Sequence, residues 1–498
     1  MLSLTDGNES VIEILVNSAQ FFMPNNILIL GAGPTGLGAA RRLQELGQPD
    51  WLLLEAGGEP GGLAASFKDE KGFTWDIGGH VQFSHYEYFD RAMDEFLGAD
   101  GWLHHQRESW VWMRDRFIPY PFQNNIHRLP AEDLDKCLAG LVDITRNGHI
   151  KPDNFREWIL TTFGKGLADV FLLPYNTKVW GFPPEKMNAA WVGERVAITD
   201  LKRVLHNLVH RKDDVSWGPN NTFQFPKYGG TGAIWRACAE RLPAEKLRFN
   251  TRVVKVDLGK HEVTVADGRT FKYDRLISTI SLRELIRLSG QSHLEPLAER
   301  GLLYSSSNIF GLGLRGKPAP ELATKCWMYF PEDNCPFYRV TVFSNYSPNN
   351  VPDINQYWSL MAEVSESSDK PVNQNLLLGQ VIRGALNTKL IQDRKDIVSA
   401  WPYRAHYGYP TPGLHRDEAL AEINPFFEKC DVYSRGRFGL WKYEVSNQDH
   451  SFMQGVELVE RLLHGHEEIT AFDPNHANAK KHPWPFERWQ TKLETISV

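Results

Sequence analysis

Cysteine is scarce in this chain. Five residues (Cys137, Cys238, Cys326, Cys335, Cys430) are scattered over 498 positions, and no two stand as a C-x-x-C pair. That spacing suggests neither a disulfide framework nor a zinc site, and a reducing, cytosolic compartment is expected. No apolar run is long enough to span a bilayer. No sign of charge dominates. With a net charge of −6 and a pI near 6.3, neither nucleic acid nor an anionic membrane is an expected partner. An anionic small-molecule substrate would therefore need a local cluster of arginines. The apolar patch Val11–Val16 has no basic stretch before it, so it does not read as a signal peptide. Residues 1–22 are expected to be an N-terminal appendage, with Met23 as an alternative start. Internal repeats and low-complexity segments are also missing.

What is present is a βαβ opening. Asn26–Leu30 reads as a buried strand, residues to about Leu46 as a helix, and Trp51–Glu55 as a second strand ending on an acid. Between strand and helix lies Gly31-Ala-Gly33-Pro34-Thr35-Gly36. The first two glycines permit a tight turn and close approach to a pyrophosphate, and the third permits helix–strand packing. Orphan N–H groups at the helix start favour an anion. Glu55, 22 positions after Gly33, stands where a carboxylate accepts bonds from an adenosine ribose. A second glycine pair, Gly61-Gly62-Leu63, follows the acid and suits the longer cofactor FAD. The cofactor set read here is Gly31, Gly33, Pro34, Thr35, Gly36, Glu55, Gly61, Gly62 and Leu63.

Further along, Leu134, Leu138, Leu141 and Val142, then Phe155, Trp158, Ile159 and Phe163, show helical spacing. Val253–Val256, Glu262–Val265 and Thr270–Tyr273 alternate as strands, with Asp267-Gly268 as a hairpin turn. Arg275–Thr279 reads as a buried strand. Ile309–Leu314, Tyr338–Phe343 and Tyr357–Val364 read as strands, and residues 371–388 as a helix. The expected fold is α/β: a Rossmann-type FAD-binding domain with an inserted helical domain and an antiparallel β-sheet substrate domain. The FAD-binding domain takes residues 23–100, 216–300 and 426–470. The mostly helical insertion takes 101–215, the substrate domain 301–425, and a C-terminal tail 471–498.

Several ordered motifs resemble the UDP-galactopyranose mutase family, in its larger, eukaryotic-type branch. They are Gly78-Gly79-His80-Val81 with Ser84-His85-Tyr86, Pro119–Asn125, Pro174–Trp180 and Trp191–Val196, followed by Trp327–Asn334 with Phe337-Tyr338-Arg339, Gly408–Pro412, Arg435–Gly439, and Tyr443-Glu444 with Asn447–Ser451. The resemblance runs from about 25 to 465. It departs in a shorter segment between Tyr346 and Trp358 and in both termini.

The resemblance implies a flavin-dependent isomerase interconverting UDP-galactopyranose and UDP-galactofuranose. There the reduced FAD N5 is the nucleophile at the anomeric carbon, without net redox change. It implies Arg195 and Arg339 as phosphate-binding groups, since guanidinium forks match phosphate oxygens, with Tyr329, Tyr409, Tyr443 and Asn447 donating alongside. It implies Trp180 or Tyr175 stacking on uracil, Gln123 and Asn176 bonding its edge, Phe122 packing beside them, and Tyr120 and Asn220 in the same site. His80 is expected on a loop approaching N5, and His85 near the ring or sugar. Gly79, Val254, Tyr346, Gln448 and Ser451, with His80 and Asn447, are implied at the cofactor. NADPH or NADH is the implied reductant, touching Arg107, Ser109 and Arg437. No metal is expected, and a homo-oligomer stays open. For any single arginine, a solvated surface charge is the bland alternative. For Phe122, Trp180 and the histidines it is a place in the core. Three rival readings stay open: an oxidoreductase of the amine-oxidase or protoporphyrinogen-oxidase type, a mutase for another nucleotide sugar, and a non-enzymatic flavin-dependent scaffold, against which Arg195 and Arg339 argue.

Overall fold

The computed structural model describes residues 26–146, 151–215, 218 and 220–489. The expected appendage 1–22 and residues 490–498 of the expected tail lie outside them.

The opening strand Ile27–Leu30 is central in a five-stranded parallel sheet of order 432–434, 275–278, 27–30, 51–54, 247–248. It is buried at all four positions. That is why it is apolar throughout and shows no alternation. Helix Pro34–Glu45 starts after the glycine loop and lies against the long closing helix Gln448–His464. Glycine makes that contact possible. A Cβ on Gly38 would stand 2.3 Å from the Phe452 carbonyl oxygen, and one on Gly455 2.0 Å from that of Thr35.

The second layer is a seven-stranded sheet in the order Ile397–Pro410, Tyr304–Arg315, Tyr357–Glu366, Arg339–Val342, Trp327–Tyr329, Ser109–Met113, Arg116–Pro119. All its pairings are antiparallel except Trp327–Tyr329 with Ser109–Met113. Helices Ala131–Arg146, Phe155–Leu167, Leu173–Trp180 and Leu201–His210 form the insertion beside it. Among the described residues no helix is long and apolar enough to cross a membrane.

Three local expectations change. Residues 102–119, expected in the helical insertion, are strands. Trp102–Gln106 pairs with Thr222–Pro226, and the other two strands join the seven-stranded sheet. The 14-residue strand Ile397–Pro410 was not expected, because its residues are partly exposed on both faces and so carry no clean alternation. The tail from 471 is also no loose tail as far as 489. Residues 469–489 form a strap with helices Ile469–Phe472 and Pro474–Ala479. Phe486 and Trp489 join the core of the FAD-binding domain, with Trp484 packed against it. The aromatic cluster Trp484, Phe486 and Trp489 anchors that strap, and the polar run before it conceals this in an average.

Glu457 of the closing helix ties the strap down. It is fully buried, and Thr470 donates to it through its backbone N–H at 2.8 Å and its hydroxyl at 2.6 Å. Burial outweighs those bonds and pushes the Glu457 carboxyl up to about 8. Its folded pKa lies above its unfolded one, so the protonated form favours the fold. This contribution is present below the unfolded value and is lost as pH rises through about 8. The melting temperature of the wild type is expected to fall between about pH 6 and 9, and Glu457→Gln, a permanently neutral mimic, should flatten that fall. An unchanged slope would assign that fall elsewhere.

Candidate active site

A cavity of about 860 Å³ opens at the carboxyl ends of the parallel strands and runs toward the seven-stranded sheet. This is where ligands sit in open α/β sheets. Gly31, Gly33, Pro34, Thr35, Glu55, Gly62 and Leu63 line one end. Gly31 takes φ +101°, the left-handed region that favours glycine. Glu55 braces the loop: its Oε2 accepts from Ala32 N–H at 2.7 Å and its Oε1 from Gly57 N–H at 2.6 Å. Gly36 and Gly61 are structural, not lining. A Cβ on Gly36 would stand 1.9 Å from the Gly31 carbonyl oxygen, and Gly61 N–H donates to the Ala32 carbonyl at 2.8 Å.

At the other end stand Gly79, His80, Arg339, Glu363, Tyr409, Arg437, Tyr443, Asn447, Gln448, Asp449 and Ser451. Glu363, unforeseen from sequence, is the hub. It is 2% exposed, and its two oxygens take Arg339 Nε at 2.7 Å and Nη2 at 2.8 Å. It also accepts from Gly79 N–H at 3.0 Å and the Tyr338 hydroxyl at 2.8 Å. Burial opposes its ionisation, but Arg339 wins and holds the carboxyl below its usual range. One acid thus fixes both the arginine and the loop that carries His80. Burial pulls the His80 imidazole down to about 4, against the pull of Glu363. It is therefore neutral near pH 7, and its buried Nδ1 has no hydrogen-bond partner among the described residues.

Arg437 lies over the rings of Tyr409 (5.0 Å) and Tyr443 (5.7 Å), and among the described residues its bonds go to the Gly408 and Ser446 carbonyls and the Ser446 hydroxyl. Arg195 lies over the Tyr443 ring at 4.9 Å, and donates to the Glu444 carbonyl at 2.8 Å and Asn447 Oδ1 at 3.5 Å. Two guanidinium groups thus share Tyr443, and their bonds go to neutral acceptors. That leaves their charge available to an anion. Gln448 is held by Trp235 Nε1 at 2.8 Å.

Tyr409 and Tyr443 pass from the cavity into an aromatic wall of the insertion. Trp180 meets Tyr443 at 4.8 Å and Tyr409 at 5.8 Å. Tyr175 meets Tyr329 at 5.3 Å, and Tyr329 meets Tyr120 at 5.4 Å. Trp327 Nε1 donates to the Tyr329 hydroxyl at 2.7 Å. The wall's other members face the protein. Phe122 is fully buried on Phe171 at 4.3 Å, Gln123 donates to the Ala197 carbonyl, and Asn176 donates to the Leu172 carbonyl one helical turn back. Arg107 donates to Asn220 Oδ1 at 2.7 Å and lies over Tyr120, with buried Ser109 two residues on.

Four expected placements change. Val254 is 44% exposed, because a bulge between Val253 and Lys255 turns it outward. Tyr346 is 1% exposed and packs in the core against Phe223 and Phe225 rather than lining the cavity. His85 does not line the cavity either. Its Nδ1 lies 2.8 Å from Asp449 Oδ2, and its ring stacks on His450 at 4.9 Å. Arg437 lines the main cavity over Tyr409 and Tyr443, shares the Tyr443 ring with Arg195, and is not grouped with Arg107 and Ser109. Folding also brings His85, Asp449 and His450 within 4.8 Å of one another. Burial opposes ionisation of Asp449, and the two histidines outweigh it, keeping it a carboxylate.

The cavity suits FAD. Gly33 lines it with φ −75°, and a Cβ there would meet no protein atom within 4 Å, so the space before it is open for a phosphate. The loop's N–H groups, Glu55 and the N-terminus of the closing helix, which begins at Gln448, would hold the dinucleotide.

The chain belongs to the flavin-containing amine oxidoreductase family, whose profile matches residues 34–418. A solved structure of reduced UDP-galactopyranose mutase is 49% identical, covering 93% of this chain and 99% of that one, with a TM-score of 0.90. That likeness places the chain in the UDP-galactopyranose mutase branch. A fatty acid isomerase from P. acnes, which makes CLA, shares the fold at 15% identity, covering 88% of this chain and 99% of its own, with a TM-score of 0.60. A 15-cis-phytoene desaturase of Glycine max is 36% identical over 88 residues, 18% of this chain and 15% of that protein's length.

Proposed function

We propose that this protein is an isomerase that interconverts UDP-galactopyranose and UDP-galactofuranose with bound, reduced FAD. One observation carries the reading: two guanidinium groups, Arg195 and Arg437, flank Tyr443 with only neutral partners, and Arg339 stands in the same cavity. An amine or porphyrin oxidase needs no such group, whereas a dianionic diphosphate leaving group does. The 49% identity to a UDP-galactopyranose mutase supports it.

In this reading the flavin supplies the nucleophile when reduced. Arg195 and Arg339 hold the diphosphate and stabilise the charge that develops as UDP departs. Tyr329, Tyr409 and Tyr443 donate hydroxyl bonds, and Asn447 positions Arg195. Tyr175 and Trp180 flank the uracil. Tyr120, Phe122, Gln123, Asn176 and Asn220 complete or support its pocket. Neutral His80 offers a ring nitrogen to the flavin side, held in place through Gly79 and Glu363. The reductant is a nicotinamide dinucleotide, NADPH or NADH, recognised by Arg107 and Ser109.

Purified protein incubated with UDP-galactofuranose should form UDP-galactopyranose with dithionite and not without it. No conversion by flavin-loaded, reduced protein would sink the reading.

A further inference from the structure

The C-terminal strap reaches the site through one side chain. Helix Pro474–Ala479 packs against the turn Gly193–Arg195. Asn478 Nδ2 donates to the Glu444 carbonyl at 3.1 Å and to the Pro474 carbonyl at 2.8 Å. The same Glu444 carbonyl accepts from Arg195 Nη2 at 2.8 Å. A carbonyl oxygen offers two lone pairs, and these two donors fill them. The Glu444 carboxylate is itself clamped by Arg416 through two bonds of 2.8 Å, with Arg416 1% exposed. The residue is thus fixed at its side chain by Arg416 and at its carbonyl by Asn478. The strap has a second hold nearby, where His482 N–H donates to the His85 carbonyl at 2.6 Å. Its far end is seated in the core by Phe486 and Trp489.

We infer that Asn478 is a positioning residue: it holds the Glu444 carbonyl where that carbonyl aims the Arg195 guanidinium at the phosphates of the substrate. The inference rests on the reading above that Arg195 contacts those phosphates. It gives residues 469–489 a part in substrate binding. Asn478 touches no substrate atom, and its effect passes through Arg195.

The test is a double-mutant cycle in the full, flavin-loaded chain: Asn478→Ala, Arg195→Ala and both together. UDP affinity, KM and kcat, flavin content and melting temperature are measured for each. Asn478→Ala should raise the UDP Kd and the sugar-nucleotide KM roughly tenfold and keep its flavin. In the Arg195→Ala background the same change should do nothing further. Asn478→Asp removes the donor and sets a carboxylate beside the guanidinium, so it should bind UDP more weakly than Asn478→Ala. The inference is overturned if Asn478→Ala weakens UDP equally in both backgrounds, or if Asn478→Asp binds UDP like the wild type. Arg195→Ala separates the two readings: unchanged UDP affinity in that variant would overturn the phosphate reading and this one with it.

Discussion

Arg339→Ala is expected to keep its flavin and lose kcat/KM by on the order of 10²–10³, the usual cost of one preorganised charge contact to a transition state. The single variant confounds two effects, and the structure shows how to part them. Arg339 neutralises Glu363, whose side chain is 2% exposed. Removing the cation strands a buried carboxylate, at about 3–5 kcal/mol. Melting temperature should therefore fall together with turnover. Adding Glu363→Gln removes the stranded charge and should recover much of the stability, while turnover stays low because the leaving group has lost one of its two guanidinium contacts and keeps only Arg195. Scanning calorimetry and steady-state kinetics on the wild type, Arg339→Ala and the double variant check this. If the double variant regains turnover, Arg339 acts only by neutralising Glu363.

Gly33→Val is expected to fold and to emerge without flavin. Its φ of −75° suits any residue, and its Cβ direction meets no protein atom within 4 Å. The side chain would instead stand in the space left for the pyrophosphate. Flavin absorbance per protein should drop to a small fraction of wild type, and activity with it, while the far-ultraviolet dichroism is retained. Gly36→Ala is the contrast: its Cβ would stand 1.9 Å from the Gly31 carbonyl oxygen, so it should fail in folding. A Gly33→Val protein that purifies fully yellow would show that the loop does not cradle the cofactor.

The parts legible in the sequence were those set by neighbours along the chain. Gly31–Gly36 with Glu55 is one βαβ turn, and its residues carry their geometry locally. Arg339 was legible as a cation in an aromatic run, but Glu363 was not. It reads as an ordinary polar residue in the strand Tyr357–Glu366 until the sheet register sets it opposite Arg339. Asp449 likewise acquires its meaning only when His85, hundreds of positions away, folds onto it. Val254 failed for a different reason, a bulge that resets the alternation. Residues 471–489 failed because the short cluster Trp484, Phe486 and Trp489 follows a polar run, and no periodicity reveals that it fills a site in a distant core. Arg437 looked like a partner of Arg107 on motif grounds. Burial against Tyr409 and Tyr443 makes it a neighbour of Arg195 instead.

The cavity explains how a fold shared with oxidases can serve an isomerase. The glycine loop and Glu55 need only hold a dinucleotide, and they are indifferent to what the flavin end does. Selectivity lies at the far end, where Glu363 fixes Arg339 in place and Arg195 joins it in holding an anion. The central claim is that the redox step only primes the site. The direct test is anaerobic stoichiometry: reduce the flavin once, remove excess reductant, add UDP-galactofuranose, and count UDP-galactopyranose formed per flavin. Many products per flavin are expected, with the flavin still reduced at the end. One product or fewer per flavin, with the flavin reoxidised, would contradict it.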